Sequence, residues 1–221
     1  MTGDYAPYSY LTPTNEIIGA DVKMAEDLAA YLGVDLVIIR TEWRKLSRDL
    51  LARKFDIAMG GISITPYRER IGLFTEKLIE DGKRPIVRCE DRYKYTTIES
   101  INKPEVRVIV NPGGTNNEFT QENFCNASVR VFPDNRLIFR EIAEKRADVM
   151  VTDGVEVELQ ARQNEELCAA QVKQPFNCFI KAYWMRKDEE WRDIVNDWLK
   201  IAKVYVWPSA LNTSLSFNYL Y

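Results

Sequence analysis

Apolar positions in this chain switch repeatedly between helical and extended periods. Met24, Ala25, Leu28, Ala29 and Leu32 share one helical face, which predicts a helix over 21–32 with Asp21 as N-cap and Gly33 as stop. Residues 35–40 are rich in branched side chains and predict a strand. A second helix opens at Trp43, turns Leu46, Leu50 and Leu51 inward and ends near Lys54. Residues 55–59 then read as a short buried strand, and Gly60-Gly61 follows at once. Pro66 suits the first turn of a further helix. Strands are predicted over 83–88, 106–110 and 129–132, with a short helix at 97–101 and a longer one over 135–145. Apolar residues 149–151 continue into a helix at 155–164. An extended stretch ends at Ile180 and resumes over 182–185. The helix at 189–202 buries Trp191, Ile194, Val195, Trp198, Leu199 and Ala202, and the tail from Tyr205 has no clear period. Alternating helix and strand predicts βαβ units, hence an α/β fold with mostly parallel sheets flanked by helices.

Two stretches repeat one design. Arg53-Lys-Phe-Asp-Ile-Ala-Met-Gly-Gly61 and Lys145-Arg-Ala-Asp-Val-Met-Val-Thr-Asp153 each run from a basic helix end through an Asp and an apolar strand to polar residues. This reads as an internal duplication of two α/β lobes. Ligands in such sheets bind at the carboxyl ends of strands, and the candidate chemistry collects there. Gly61 lets a ligand approach bare peptide groups, Ser63 and Thr65 offer hydroxyls, and Arg68 lies in the first turn of the next helix. A guanidinium fork with backbone N–H donors suits a carboxylate. Asn111-Pro-Gly-Gly-Thr-Asn-Asn117 is a second glycine turn opening a helix, with Thr115 and Asn116 at a second anion position. Asp153 ends its strand where it could take an ammonium or cap the helix that follows. Tyr5, Tyr8 and Tyr10 surround Pro7 as an aromatic wall or as ordinary loop packing.

Composition narrows the chemistry. The net charge of −3, with acidic and basic residues interspersed, argues against an electrostatic nucleic-acid binder. No run approaches 18 apolar residues, so no membrane span is expected. The chain contains no histidine, which removes histidine-dependent triads and the commonest zinc ligand. Cys89, Cys125, Cys168 and Cys178 form no CxxC pair, so neither metal nor cofactor is expected. They allow two disulfides in three pairings, or four reduced thiols. Asn126-Ala-Ser128 and Asn212-Thr-Ser214 fit the glycosylation sequon and hint at a secretory route. No signal peptide is visible, and Met1-Thr-Gly-Asp reads as a start placed on a mature or trimmed chain.

The two glycine turns and the repeated strand-Asp segments resemble the type II periplasmic solute-binding proteins, amino-acid subgroup, over about residues 2–202. Thr2-Gly-Asp-Tyr5, Met59-Gly-Gly-Ile-Ser63, Asp81-Gly-Lys83, Arg88-Cys89, Val106-Arg-Val-Ile-Val-Asn-Pro-Gly-Gly-Thr-Asn116, Phe132-Pro-Asp-Asn135, Ala147-Asp-Val-Met150 and Lys181-Ala-Tyr183 resemble the enzyme branch of that family, the cyclohexadienyl dehydratases. The resemblance implies a ligand cleft between two lobes, residues 1–87 with 185–221 and residues 88–184, hinged near 86–88 and 182–184. It places the carboxylate-binding arginine at Arg68, the second anion turn at Thr115 and Asn116, and the ammonium partner of amino-acid binders at Asp153. Trp43, Tyr5 and Tyr8 fall on the pocket wall, with Ser63 and Gly61 beside them. Cys89 and Cys168 match a disulfide pair of the dehydratase branch, and the compartment implied is periplasmic or secreted.

Two departures shape the functional expectation. The dehydratase branch carries a general-acid glutamate two residues before the Ala-Tyr pair, and Ile180 stands there. Losing a positioned general acid typically costs ~10²–10⁴-fold. Lys181 and Cys178 are conceivable stand-ins. The family also opens with a strand before Thr-Gly-Asp-Tyr that is missing here, and the strand-like residues 214–221 are a candidate to fill its place. The reading is a non-catalytic module for a small carboxylate, of amino-acid or aromatic keto-acid type. The alternatives are an active prephenate or arogenate dehydratase, a carbon–oxygen lyase, and a secreted remnant kept for surface interactions.

Overall fold

The computed structural model describes residues 1–219. Chain contacts divide it into two units, Met1–Glu80 with Phe179–Asn218 and Asp81–Cys178 with Tyr219.

The first unit opens with three short antiparallel strands, β1 (Asp4–Tyr5), β2 (Ser9–Leu11) and β3 (Ile17–Ile18). Helix α1 (Ala20–Leu32) buries Met24, Ala25, Leu28 and Ala29, as their spacing predicts. Gly33 stops it at φ 68°, donating its N–H to Ala29 and Ala30. A left-handed residue is cheap only for glycine. Asp21 does not cap this helix. Gly19 occupies the cap, and the Asp21 carboxylate is spent elsewhere. A 3₁₀ turn (Trp43–Lys45) leads into α2 (Leu46–Leu51), where Leu46 and Leu50 are buried and Leu51 is exposed. Strand β4 (Ile57–Ala58), helix α3 (Pro66–Ile71), β5 (Leu73–Phe74) and β6 (Ile79–Asp81) follow. Thr65 caps α3 through its hydroxyl, and Pro66 takes the first turn.

The second unit is built on a five-stranded sheet. In chain order its elements are β7 (Lys83–Arg88), α4 (Ile98–Ile101), β8 (Arg107–Val110), α5 (Gly114–Asn123), β9 (Ser128–Val131), a 3₁₀ turn (Asn135–Leu137), α6 (Ile138–Ala143), β10 (Val149–Asp153), α7 (Gly154–Gln163) and β11 (Leu167–Ala169). The sheet order is β11-β7-β10-β8-β9. Successive residues point to opposite faces, so Val87, Val108, Val149 and Val151 pack with Phe119 and Phe124, while Ile86, Ile109 and Met150 pack with Ile138, Ile142 and Val157. Both faces are covered, which is why these strands read as continuous apolar runs.

The chain then returns to the first unit through β12 (Phe179–Lys181), β13 (Trp184–Met185), α8 (Glu189–Tyr205) and α9 (Trp207–Ser216). Asp188 caps α8 and the buried face is Val195, Trp198, Leu199 and Ala202; Ile194 falls on the exposed side. Trp198 ties α8 to α1 through an indole bond to Asp27.

Four further expectations are corrected. Residues 35–40 are not a strand. They lie in no sheet, with Val34, Leu36 and Val37 exposed. Their branched side chains supply propensity, but a strand needs a neighbour for its backbone groups. The tail up to Ser216 is a helix and fills no place in a sheet. Pro208 in its first turn favours this, and Trp207 stacks on Tyr8 at 6.3 Å between centroids. Leu220 and Tyr221 lie outside the described residues. Pairing is parallel for β8 with β9 and with β10, but antiparallel for β10 and β11 against β7. In the first unit β13 returns from the far end of the chain between β4 and β5 and runs opposite to both. Finally, Asp153 stands at the N-cap of α7 without capping it; the carboxylate of Asp81 accepts from Gly154 and Val155 instead.

The internal duplication survives in detail. Ala52, Arg53 and Lys54 donate to Arg48, Leu50 and Asp49, and Glu144, Lys145 and Arg146 donate to Arg140, Ile142 and Glu141 in the same pattern. Arg53 and Lys145 both have positive φ, 57° and 61°. The carboxylates one turn back, Asp49 and Glu141, are buried and paired with Lys54 and Arg146.

Cys89 and Cys168 form a disulfide joining the end of β7 to β11, 79 residues apart. Cys125 and Cys178 are free and exposed. In the chain-entropy account a loop of this size stabilises by roughly 4 kcal/mol. The double replacement Cys89→Ser with Cys168→Ser is expected to lower the unfolding free energy by about that much in urea titration. An unchanged midpoint would show that sheet pairing alone holds β11.

Candidate functional site

In the first unit the predicted residues converge on one buried ammonium. The Lys181 Nζ donates to the Gly61 carbonyl at 3.0 Å and lies 3.4 Å from the Ser63 hydroxyl. It sits over three rings, 5.0 Å from Tyr5, 5.4 Å from Tyr8 and 5.0 Å from Phe179. Such cation–π contacts strengthen when the cation is desolvated. Tyr5 and Tyr8 are thus packed around that ammonium, both buried. Tyr5 is 5.1 Å from Tyr8 and meets Trp43 edge-on at 5.6 Å, and the Trp43 indole N–H is held by Asp4. Gly61 has φ 71°, and a Cβ there would stand 2.6 Å from Tyr5 and 2.7 Å from Tyr8. No larger residue fits between that turn and the rings.

Arg68 is 6% exposed. One guanidinium nitrogen donates to the Ser63 carbonyl at 2.8 Å, and the group stands 6.0 Å from the Trp184 ring. The backbone explains this placement. Thr65 starts α3, so position 68 points back over the Ser63 turn.

The Gly60-Gly61 turn does not keep its donors for a ligand. Both N–H groups bond one oxygen of Asp21, at 2.7 and 2.8 Å, and the Tyr183 hydroxyl donates to the other at 2.9 Å. Asp21 is fully buried, and desolvation lifts its carboxyl from 3.8 to about 6 despite those three bonds. Burial first and the neighbouring Asp21 next push the Tyr183 hydroxyl well above its ordinary value. Sequence reasoning missed this clamp because it assigned Asp21 to a helix cap.

In the second unit Lys83 is the centre. β7 and β10 are antiparallel with Lys83 opposite Asp153, so both side chains project from the same face. The Lys83 Nζ lies 2.5 Å from the Asp153 carboxylate and 3.1 Å from the Thr115 hydroxyl, and it also bonds the Asn116 amide oxygen. The Asn116 amide donates on to Asn111 and Thr152, the Thr152 hydroxyl meets Glu156 at 2.5 Å, and Asn135 donates to Glu156. Thr115 and Asn116 are thus brought to Asp153 through Lys83, and the ammonium there is the chain's own. The signal was visible in Asp81-Gly-Lys83, whose lysine had been given no role. Ile180 lies in β12, its carbonyl accepting from the Ile64 N–H at 2.8 Å.

Comparison with known proteins agrees with these features. The sequence profile of the bacterial extracellular solute-binding proteins, family 3, matches residues 1–204. A cyclohexadienyl dehydratase of Pseudomonas aeruginosa is 43% identical over 95% of this chain and 83% of its own. The crystal structure of an ancestral amino-acid-binding protein, described as a precursor of cyclohexadienyl dehydratase, is 29% identical and superposes with a TM-score of 0.86 over 97% of this chain and 92% of that one. That of an ancestral cyclohexadienyl dehydratase is 42% identical, with a TM-score of 0.58 over 98% and 90%. Among the described residues no helix is long and apolar enough to cross a membrane.

Proposed function

Because this chain belongs to family 3 of the bacterial extracellular solute-binding proteins, we propose that it is a binding module for a small carboxylate, of amino-acid or aromatic keto-acid type, working outside the cytoplasm. The observation that carries this reading is the buried, preorganised Arg68, held over the Ser63 turn beside the Lys181 ammonium and the Tyr5–Tyr8 wall. A guanidinium already fixed by one bond loses little entropy when it takes an acid group. Thr115, Asn116 and Lys83 offer a second anion-binding point. Asp153, already matched to Lys83, holds that ammonium in place. The disulfide suits an oxidising compartment.

The same residues bear on catalysis. Ile180 offers no proton, so expulsion of a hydroxyl from prephenate or arogenate lacks the donor the dehydratase branch uses there, and the module is read as non-catalytic. The second reading, an active carbon–oxygen lyase, is favoured by the 43% identity to a dehydratase and by the Lys181 ammonium next to Ser63.

Thermal-shift titration with amino acids and aromatic keto acids tests the first reading. A ligand at a hundred times its Kd adds about 2.7 kcal/mol, which raises Tm by about 5 °C or more in a domain this size. No shift with any of them overturns it. Ultraviolet detection of phenylpyruvate formed from prephenate tests the second. The substitution Ile180→Glu is expected to raise any such turnover by at least ~10²-fold, the contribution of a positioned acid. No gain would mean that more than the donor has been lost.

A further inference from the structure

Helix α8 is apolar on two sides. Its inner face, Val195, Trp198, Leu199 and Ala202, is buried in the first unit. Its outer face carries Ile194, Ile201, Val204 and Tyr205, and exposure rises along it from 39% at Ile194 to 78% at Tyr205. Apolar side chains scattered singly on a surface are ordinary, but four on one stripe of one helix mark an interaction surface. Two bonds on the flank of α8 fix its rotation. The Asn196 amide oxygen accepts from the Glu76 N–H at 2.8 Å, and the Lys203 ammonium donates to the Lys77 carbonyl at 2.7 Å. The outer stripe is therefore held turned away from the unit's core.

The spacing is that of a coiled-coil seam. Ile194, Asp197, Ile201 and Val204 follow one another in steps of three, four and three residues, the a and d positions of a heptad. At 1.5 Å per residue the seam is about 15 Å long. The charges say what fits it. The first half of α8 carries Glu189, Glu190, Asp193 and Asp197 against Arg192, and the second half carries Lys200 and Lys203 with no acid. Such a helix is complementary to itself when turned end for end, and the two helix dipoles then oppose each other favourably. In a two-fold pair centred on Leu199, Ile194 meets Val204 and Asp197 meets Ile201 of the second copy, each contact occurring twice. Asp197 then lies one residue's rise from Lys200 of the second copy. It is already bonded to its own Lys200 at 2.8 Å, so two acids and two lysines share the centre of the seam.

We propose that the outer face of α8 is a homodimer interface, along which it packs antiparallel against α8 of a second copy of this chain. Ile194, Ile201 and Val204 supply the apolar contact, and Asp197 with Lys200 sets the direction. The seam is short and carries a polar residue, so the pair is reversible, with Kd in the micromolar range.

Sedimentation equilibrium of the full chain from about 5 to about 500 µM tests the pairing, and the mass is expected to rise from monomer to dimer over that range. Ile201→Asp changes an exposed side chain, so Tm is expected to stay within about 2 °C while association weakens by about tenfold or more. Asp197→Lys and Lys200→Asp each crowd like charges at the centre, and each is expected to weaken self-association by about tenfold or more. Mixed one to one, these two variants are expected to associate about as tightly as the wild type, since each restores the other's missing sign. Direction is read by cross-linking. With the exposed Cys125 and Cys178 both changed to Ser, Ile194→Cys and Val204→Cys are expected to form a disulfide-linked dimer when mixed and none when oxidised separately. A monomer at every concentration overturns the proposal, as does a dimer indifferent to Ile201→Asp. Charge variants that stay apart on mixing remove the complementarity that selects a second copy. Cross-linking of Ile194→Cys with itself would show a parallel pair and overturn the antiparallel one.

Discussion

Replacing Arg68 with alanine is expected to abolish carboxylate binding, with affinity falling by about 100-fold or more in calorimetric titration. The magnitude follows from burial. A charge-assisted, two-pronged bond to a carboxylate in a dry site is among the strongest polar contacts, and truncating one member of such a pair costs about 2–5 kcal/mol. Arg68→Lys separates charge from shape. It keeps the cation but loses the fork and the planar group 6.0 Å from the Trp184 ring, so an intermediate loss is expected. Arg68→Ala also removes the bond to the Ser63 carbonyl, so its ligand-free Tm is expected to fall by a few degrees. A lower Tm with unchanged affinity would make Arg68 a strut of the Ser63 turn and nothing more. Loss of affinity with Arg68→Lys at unchanged Tm would assign the guanidinium directly to the ligand.

Much of this arrangement was legible because it depends on local rules. Gly61 at positive φ, Thr65 capping α3 and Pro66 in its first turn are short-range features, and together they aim Arg68 where the spacing suggested. The alternation of Val and Ile in β7, β8 and β10 is likewise local and fixes which face each side chain covers. What the sequence hid depends on partners far along the chain. Asp21 looks like a helix cap because helix caps are common; that it bonds Gly60 and Gly61, about 40 residues away, follows only from tertiary packing. Lys83 was given no role, and Lys181 only that of a stand-in acid, because lysine is rarely fully buried unless paired and the partners are not adjacent in sequence. Each is buried by a partner set drawn from distant segments, carboxylate, amide and hydroxyl for one, carbonyl and aromatic rings for the other. Residues 35–40 failed in the opposite direction. Their propensity is right, yet among the described residues no strand pairs with them.

The second large effect is expected at Asp21, and its sign runs against the usual carboxylate. Burial raises this carboxyl from 3.8 to about 6, so between those values the folded protein holds a proton that the unfolded chain has released. The Asp21 contribution to stability then falls as pH rises from about 4 to about 6 and is level above, by about 3 kcal/mol in all. The groups facing Asp21 are the Gly60 and Gly61 amides, the Tyr183 hydroxyl, the Lys181 ammonium and the Met1 ammonium. Among these, Met1 is lowered from 8.0 to about 6 by burial, which makes stability rise with pH between 6 and 8, outside the Asp21 window. Urea titrations of the wild type and Asp21→Asn at pH 4, 5 and 6 isolate the effect. The asparagine oxygen can still accept from both glycines, and its amide can donate to Tyr183, so this variant is expected to fold and to lack the slope. Asp21→Ala orphans two buried N–H groups and a buried hydroxyl, and a loss of about 3 kcal/mol or more is expected at pH 4. Its consequence reaches the site. Without the clamp the Gly60-Gly61 turn is free to move, and that turn carries the carbonyl on Lys181 and leads into the Ser63 carbonyl on Arg68. Ligand affinity should therefore drop in Asp21→Ala even though Asp21 touches neither residue through a bond of its own. Equal slopes in the wild type and Asp21→Asn would show that the carboxyl is already ionised in the folded state at pH 4, and would remove the clamp from the account of how Arg68 is held.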